Sequence, residues 1–256
     1  MSDLWNPDLY KNDHSFVFKF GEDLIKLLNP NMNDNVLDIG CGTGELTYEI
    51  SKLVKSITGI DSSSKMLESS RKNYPEVNFE VVNALEMNFH NEFDKVFSNA
   101  VFHWILDQET FLKNIYNSLK TNGKLVAEMG GKDNVEIIFS NFKNSLIKRG
   151  YQKNADKKVN FFPSVAEYTS LLEKSGFTVR YVLYFDRDTE LSDENGIKNF
   201  LTMFYESYFD NVTEKDKADI LEEVQNECKK KLYKNNKWYA DYKRLRFIAE
   251  KKWFYF

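Results

Sequence analysis

Acid and glycine residues alternate at one place in the chain, Asp38-Ile39-Gly40-Cys41-Gly42-Thr43-Gly44, with Glu45 next. Glycines spaced two apart let a backbone turn sharply and approach a ligand closely, because no Cβ stands in the way. The amides of a helix that follows then face whatever lies over the turn. A dinucleotide fingerprint, G-x-G-x-x-G, needs glycine at position 45. Glu45 suits a helix N-terminus but repels a pyrophosphate, and Asp38 adds an acid in front of the turn. The spacing therefore fits a ligand that is uncharged or cationic at this point. Asp61 follows about 20 residues beyond the turn, where a carboxylate can accept both hydroxyls of a ribose. Nicotinamide enzymes use the same device, so Asp61 alone does not choose the cofactor, and helix capping is its other role. Of the histidines His14, His90 and His103, the last has the best address for a general base, with a structural hydrogen bond as its alternative.

These residues need elements to hold them. Val36 to Ile39 is a short apolar run, and Leu46, Ile50 and Leu53 recur on one helical face after the glycines. That is strand, tight turn, helix, the opening of a βαβ unit. Further strands are expected at Ser56–Ile60, Val77–Val82, Phe93–Phe97 and Lys124–Met129, with helices between them. Ser62, Ser63 and Ser64 supply an N-cap before Met66 and Leu67. Helices are expected from about Asp133 to Gly150 and from Ser164 to Gly176, the second opened by a capping box of Ser164 and Glu167. A sixth strand is expected at Phe177–Phe185 and a last one at Tyr239–Trp253. Strands alternating with helices argue for a parallel, doubly wound α/β sheet. Ligands of such sheets bind outside the carboxyl ends of the strands, so Asp61, Asn83 and Ser98-Asn99-Ala100 stand where a site belongs.

Composition narrows the function. The 256 residues carry a net charge of −4, which argues against a nucleic-acid partner, since phosphate binding needs a concentrated basic face. Lys229, Lys230 and Lys231 read as the cationic end of a helix. Cys41 and Cys228 stand far apart, and with three scattered histidines they make no metal spacing. No apolar run approaches the ~18 residues of a membrane span, and the start of the chain is polar, so a cytoplasmic protein is expected.

The Asp38-to-Gly44 pattern resembles motif I of the class I S-adenosylmethionine-dependent methyltransferases. With Trp5-Asn6-Pro7 and Tyr10, Gly59-Ile60-Asp61-Ser62-Ser63 and Met66, Ser98-Asn99-Ala100 with Phe102-His103-Trp104, and Gly130-Gly131, the chain is similar to the trans-aconitate methyltransferase-like group. Juvenile hormone acid methyltransferases are similar over the core. The likeness covers most of the first 130 residues and weakens across 193–237. It implies a Rossmann-like, seven-stranded sheet with strand 7 antiparallel, over residues 1–190 plus 237–256, and a helical lid inserted between strands 6 and 7 at 191–236. It also implies S-adenosylmethionine as cofactor, S-adenosylhomocysteine as product and no metal.

On that likeness Asp38, Gly40, Cys41, Gly42 and Gly44 hold the amino-acid end of the cofactor. Asp61 and Ser62 meet its ribose. Asn83 stands where the family usually has an acid and accepts from the adenine amino group, with Ala84 and Leu85 beside the ring and Met66 over its other face. Asn99, Ala100 and Trp104 lie opposite the methyl group. The D/N-P-P-Y motif of amino-methyltransferases for adenine or glutamine is missing there, which argues against those acceptors. Trp5, Tyr10 and His14 close the site, His103 or His14 is the base for any acceptor that must lose a proton, and Arg244 or Arg246 pairs with a substrate carboxylate. One of the two arginines is expected to point away, because adjacent strand positions alternate. The expected acceptor is a small molecule, such as a carboxylic acid methylated on oxygen by in-line displacement. The aromatics Phe200, Phe204, Tyr205, Tyr208 and Phe209 read as lid core ahead of substrate contacts. A nicotinamide oxidoreductase and a non-catalytic S-adenosylmethionine-binding protein are the alternatives. The oligomeric state is left open, a monomer being compatible with the sequence.

Overall fold

The computed structural model describes residues 15–252. In chain order its elements are α1 (Ser15–Leu28), β1 (Asn35–Ile39), α2 (Glu45–Ser51), β2 (Ser56–Asp61), α3 (Ser64–Asn73), β3 (Asn78–Val81) and β4 (Phe93–Asn99). Then come α4 (Gln108–Ser118), β5 (Leu119–Gly130), α5 (Glu136–Lys148), α6 (Gln152–Ala155), α7 (Val165–Lys174) and β6 (Phe177–Glu190). The chain continues with α8 (Gly196–Tyr205), α9 (Glu214–Leu232), β7 (Tyr233–Lys234) and β8 (Lys237–Lys251). It divides into two compact units. The first takes the chain up to Lys132, Asn160–Tyr184 and the segment from Arg244 on; the second takes Asp133–Val159 and Phe185–Lys243.

The first unit is built on a sheet with strand order β3-β2-β1-β4-β5-β8-β6. β1 to β5 pair in parallel, and β8 runs antiparallel to β5, setting Glu128 opposite Arg246 and Gly130 opposite Arg244. The expected last strand is thus an antiparallel strand between β5 and β6, starting two residues earlier than its apolar pattern suggested. The central strands carry continuous apolar runs because helices cover both faces. On one face Leu37, Ile39, Val96, Leu125 and Phe247 pack with Phe111 and Ile115 of α4 and with Tyr168 and Leu172 of α7. On the other, Val36, Phe97 and Val126 pack with Leu24 and Leu28 of α1, Ile50 of α2 and Leu67 of α3. Emptying one such fully buried site, Ile50→Ala for example, costs about 2–5 kcal/mol. The caps follow the sequence: Ser63 accepts from the Met66 amide, Asp107 from the Thr110 amide, and Ser164 forms the full capping box with Glu167.

The second unit is helical. Both helices expected between 193 and 237 form, as α8 and α9, and Lys229, Lys230 and Lys231 occupy the last turn of α9. α8 and the 3₁₀ turn that follows it, Glu206–Phe209, close on α5: the Phe139 and Tyr205 rings lie 5.1 Å apart, and Phe142 and Phe209 5.2 Å apart. Phe200, Tyr205, Tyr208 and Phe209 are all buried core. Glu223 of α9 accepts from Ser145, Lys148 and Arg149, and these donors pull its carboxyl down to about 2. The segment 191–236 falls inside this unit, which also takes in 133–159. Among the described residues no helix is long and apolar enough to cross a membrane.

Candidate functional site

Strand order reverses between β1 and β4, and a cleft opens there at the carboxyl ends of the strands. The glycine turn forms its floor. Gly40, Gly42 and Gly44 have φ of 72°, 56° and 88°, in the left-handed region. At Gly40 a Cβ would also fall 2.2 Å from Val101 Cγ2, so the position demands glycine twice over. The amides of Gly40 and Cys41 donate to the Ile60 carbonyl at 2.7 and 3.1 Å, tying the turn to the end of β2.

Asp61 ends β2 and faces this cleft. Its Oδ2 accepts from the Gly42 amide at 3.0 Å and its Oδ1 from the Ser63 amide at 2.9 Å. The helix cap is Ser63, so Asp61 is free of that role and instead clamps the turn to the following loop. A carboxylate has about four lone-pair sites, so Asp61 keeps acceptor capacity for a ligand beyond the backbone amides that hold it. Burial pushes its carboxyl up from the ordinary range, against the pull of the amides.

The same cleft gathers Gly40, Gly42, Ser62, Met66, Asn83 and Ala84. Asn99, Ala100 and Trp104 complete the residues expected there and found there. Ile39, Ile60, Val82, Val101 and Ile105 supply apolar walls that motif reading missed; the first three lie at the ends of β1, β2 and β3, and the last two flank the Phe102–Trp104 turn after β4. The Asn83 oxygen accepts from the Leu85 amide at 3.1 Å and keeps a second lone pair. Ala100 holds φ at 62° without being glycine, its amide donating to the Glu128 carbonyl at 2.8 Å. A left-handed alanine costs on the order of 1 kcal/mol and marks a backbone held for a purpose.

Asp38, Cys41, Gly44 and Leu85 do not line this cleft. Asp38 is 2% exposed and turns to the Thr47 hydroxyl, which donates to it at 2.6 Å. Burial, with help from the charge of Asp61, pushes its carboxyl up to about 7. The Cys41 sulfur sits against Gly59, and Gly44 against Phe79 and Ser70, so both are packing positions. Trp5, Tyr10 and His14 lie outside the described residues.

Past Trp104 the wall is polar. Glu128 is fully buried and faces both arginines of β8: Arg244 Nε donates to its Oε1 at 3.2 Å, and Arg246 Nη2 to its Oε2 at 2.6 Å. Positions 244 and 246 are two apart and share a strand face, so the expectation that one points away does not hold. His103 sits in a 3₁₀ turn, Phe102–Trp104, with its ring buried beside Trp104 and Phe162. Its Nδ1 accepts from the Gly130 amide at 3.2 Å. Burial, then the nearby Arg244 charge, hold it well below the usual imidazole range, so the ring is neutral. Among the described residues no group of three or more His, Cys, Asp or Glu is placed to hold a metal, and both cysteines are free.

Comparison with known proteins agrees with this geometry. Residues 37–127 match the family model described as "Methyltransferase domain". The chain is 32% identical to an uncharacterized methyltransferase of Schizosaccharomyces pombe over 98% of its own length and 99% of that protein's. It is 28% identical to the trans-aconitate 2-methyltransferase of Enterobacter sp., covering 68% of this chain and 69% of the relative. The solved YcgJ protein from Bacillus subtilis superposes with a TM-score of 0.65 at 17% identity, over 94% of this chain and all of that one.

Proposed function

The chain belongs to the class I S-adenosylmethionine-dependent methyltransferases, and we propose that within this family it methylates a small organic acid on a carboxylate oxygen. The cleft's residues support the fit of the cofactor. At Gly42 the space a Cβ would need is bounded by Met66 Cε at 3.4 Å, so glycine keeps the floor open to a ligand. Asp61 presents a carboxylate oriented by two amides, suited to a ribose diol. Ile60, Val82, Ala84 and Ile105 give an apolar slot with Asn83 at its rim, suited to a purine ring. When bound, S-adenosylmethionine supplies an electrophilic methyl group on a sulfonium and is left as S-adenosylhomocysteine. Asp38 and Asp61 give this end of the unit two acids, and no cation among the described residues pairs with either.

The observation that carries the acceptor class is the Glu128 cluster. Two guanidiniums of strand β8, those of Arg244 and Arg246, share the one buried carboxylate of Glu128. Glu128 pairs in register with Asn99 at the cleft, so the two arginines it holds lie beside the cleft's acceptor end. A guanidinium is suited to hold a substrate carboxylate bidentately. A relative named for trans-aconitate, a tricarboxylic acid, supports the same class. A carboxylate nucleophile needs no proton removed, so positioning and exclusion of water carry the catalysis.

The test is methyl transfer from labelled cofactor to a panel of carboxylic acids, with the matching alcohols and amines as controls. Carboxylic acids are expected to take label in a base-labile ester. Label that survives base, or transfer confined to alcohols or amines, sinks the proposal. In calorimetry S-adenosylmethionine is expected to bind and NADH not to.

A further inference from the structure

We propose that Asn83 reads the purine of the cofactor, and reads it permissively, so that a 6-oxopurine in place of adenine is bound about as well. This rests on the cleft being the cofactor's site, with the base in the apolar slot of Ile60, Val82, Ala84 and Ile105. Asn83 lines that cleft and is solvent-exposed. Its orientation is fixed by its own turn. The Leu85 amide donates to Oδ1 at 3.1 Å and the Glu86 amide to the Asn83 carbonyl at 2.8 Å, an Asx turn within a tight backbone turn. Only the oxygen of a carboxamide can accept, so the group cannot flip without losing the Leu85 bond. Neighbouring elements hold the turn in place. From α4, Asn114 Nδ2 donates to the carbonyls of Ala84 at 3.2 Å and Leu85 at 2.9 Å. From β2, the Asp61 carbonyl accepts from the Val82 amide at 3.0 Å. One backbone bond thus links the residue suited to the ribose with the loop that carries the residue suited to the base.

What this side chain offers is mixed. Oδ1 keeps one lone pair, and Nδ2 has two hydrogens for which no protein partner is present among the described residues. Adenine presents an amino donor at C6 beside an acceptor at N1. A 6-oxopurine presents the reverse, an oxo acceptor at C6 beside a donor N1–H. The carboxamide meets the amino group with its oxygen and the oxo group with its nitrogen, without turning over. A carboxylate in the same place has no hydrogen to give, and its charge repels an oxo oxygen. Rejecting a wrong ligand strongly takes a repulsive element of that kind, and the slot has none. Its walls are apolar. Asp61 is held by the Gly42 and Ser63 amides, and Glu86, the next acid along the loop, is not part of the lining.

The cofactor's affinity is then set by Asp61 and the apolar slot, and the group at C6 contributes little to it. Asn83→Asp adds discrimination instead of removing binding. Aspartate still accepts from the Leu85 amide, so the turn is kept, while the donor that tolerates the oxo group is gone.

The test is calorimetry on the intact protein with S-adenosylhomocysteine and its 6-oxo counterpart, S-inosylhomocysteine, at about pH 7.5, where an exposed aspartate is ionised. For the wild type the two dissociation constants are expected to lie within about tenfold of each other. In Asn83→Asp the preference for the adenine compound is expected to grow by about tenfold or more, chiefly through weaker binding of the 6-oxo compound. A wild type that rejects the 6-oxo compound by more than about tenfold overturns the proposal, as does a ratio that Asn83→Asp leaves unmoved. Thermal unfolding without ligand checks that the variant keeps its fold; if it does not, the wild-type ratio alone decides. S-adenosylhomocysteine failing to bind at all sinks the reading of the cleft and this proposal with it. Tight S-adenosylhomocysteine with strong rejection of the 6-oxo compound sinks this proposal alone.

Discussion

Asp38→Asn tests how the acids behind the glycine turn are tolerated. Asp38 is 2% exposed, its hydroxyl partner is Thr47, and the charge bearing on it, from Asp61, has its own sign. Its carboxyl stands at about 7 in the folded protein, against about 3.9 in an unfolded chain. Below about pH 4 both states hold the proton and the site costs nothing. Between about pH 4 and 7 the unfolded chain sheds the proton while the folded one keeps it, so stability falls as pH rises. At about 1.4 kcal/mol per pH unit the loss reaches a ceiling of about 4 kcal/mol and levels off above about pH 7. Asparagine can still accept from Thr47 and has no charge to bury. Urea unfolding of both proteins without cofactor, from about pH 4 to 8, therefore gives a difference in favour of the variant. That difference should start near zero and grow towards a few kcal/mol across this window. Comparing the two removes the other carboxylates, which titrate in both. A difference that stays flat with pH refutes the reasoning, and one that grows towards acid reverses it.

Three further outcomes follow from the site. Asp61→Ala is expected to cost about 1.5–3 kcal/mol of S-adenosylmethionine affinity by calorimetry; unchanged affinity would confine Asp61 to holding Gly42 and Ser63. Gly40→Ala, with a forced left-handed φ and a Cβ 2.2 Å from Val101, is expected to destabilise the fold by about 2–5 kcal/mol in chemical denaturation, and wild-type stability would contradict the turn geometry. Glu128→Gln removes the buried carboxylate that Arg244 and Arg246 share and is expected to cost about 3–5 kcal/mol; a neutral result would mean that the pairing does not hold β8 to β5.

The sheet and the cleft were legible because their signals are local. A strand, three glycines and a helix lie within one short stretch, and each strand end announces itself by a polar residue after an apolar run. What escaped depends on partners far away in sequence. The sequence reads Asp61 as a ribose contact, with capping as its other role, but not as the clamp on the Gly42 amide that the pairing of β1 and β2 brings to it. The His103 tautomer is set by Gly130, which β5 delivers after α4. Glu128 finds its two arginines only through the antiparallel register of β8. Asp38 reads as a ligand contact in any motif, and only packing shows Thr47 turning it inward. The full length of β6 was missed because most of the strand is half-buried or exposed, leaving no apolar period past Phe185. The stripe of Ile138, Phe142 and Leu146 on α5 is correct as a stripe, but periodicity cannot say which helices it packs against.

The place of β8 in the sheet also bears on how the protein is made. β5 is complete once Gly130 has been synthesised, yet the strand that covers its outer edge pairs from Arg244 onward. Roughly 110 residues must be translated in between, about ten seconds of ribosome time at ordinary elongation rates. Throughout that interval the nascent β5 presents an open edge whose Leu125, Val126, Ala127 and Met129 are fully buried in the finished sheet. Unpaired apolar edges of this kind invite pairing with other chains. The second unit, whose segments lie on either side of α7 and part of β6, is finished within the same window and has a core of its own. Vectorial synthesis therefore lets the helical unit condense first and leaves the cofactor-binding sheet the last part of the molecule to close.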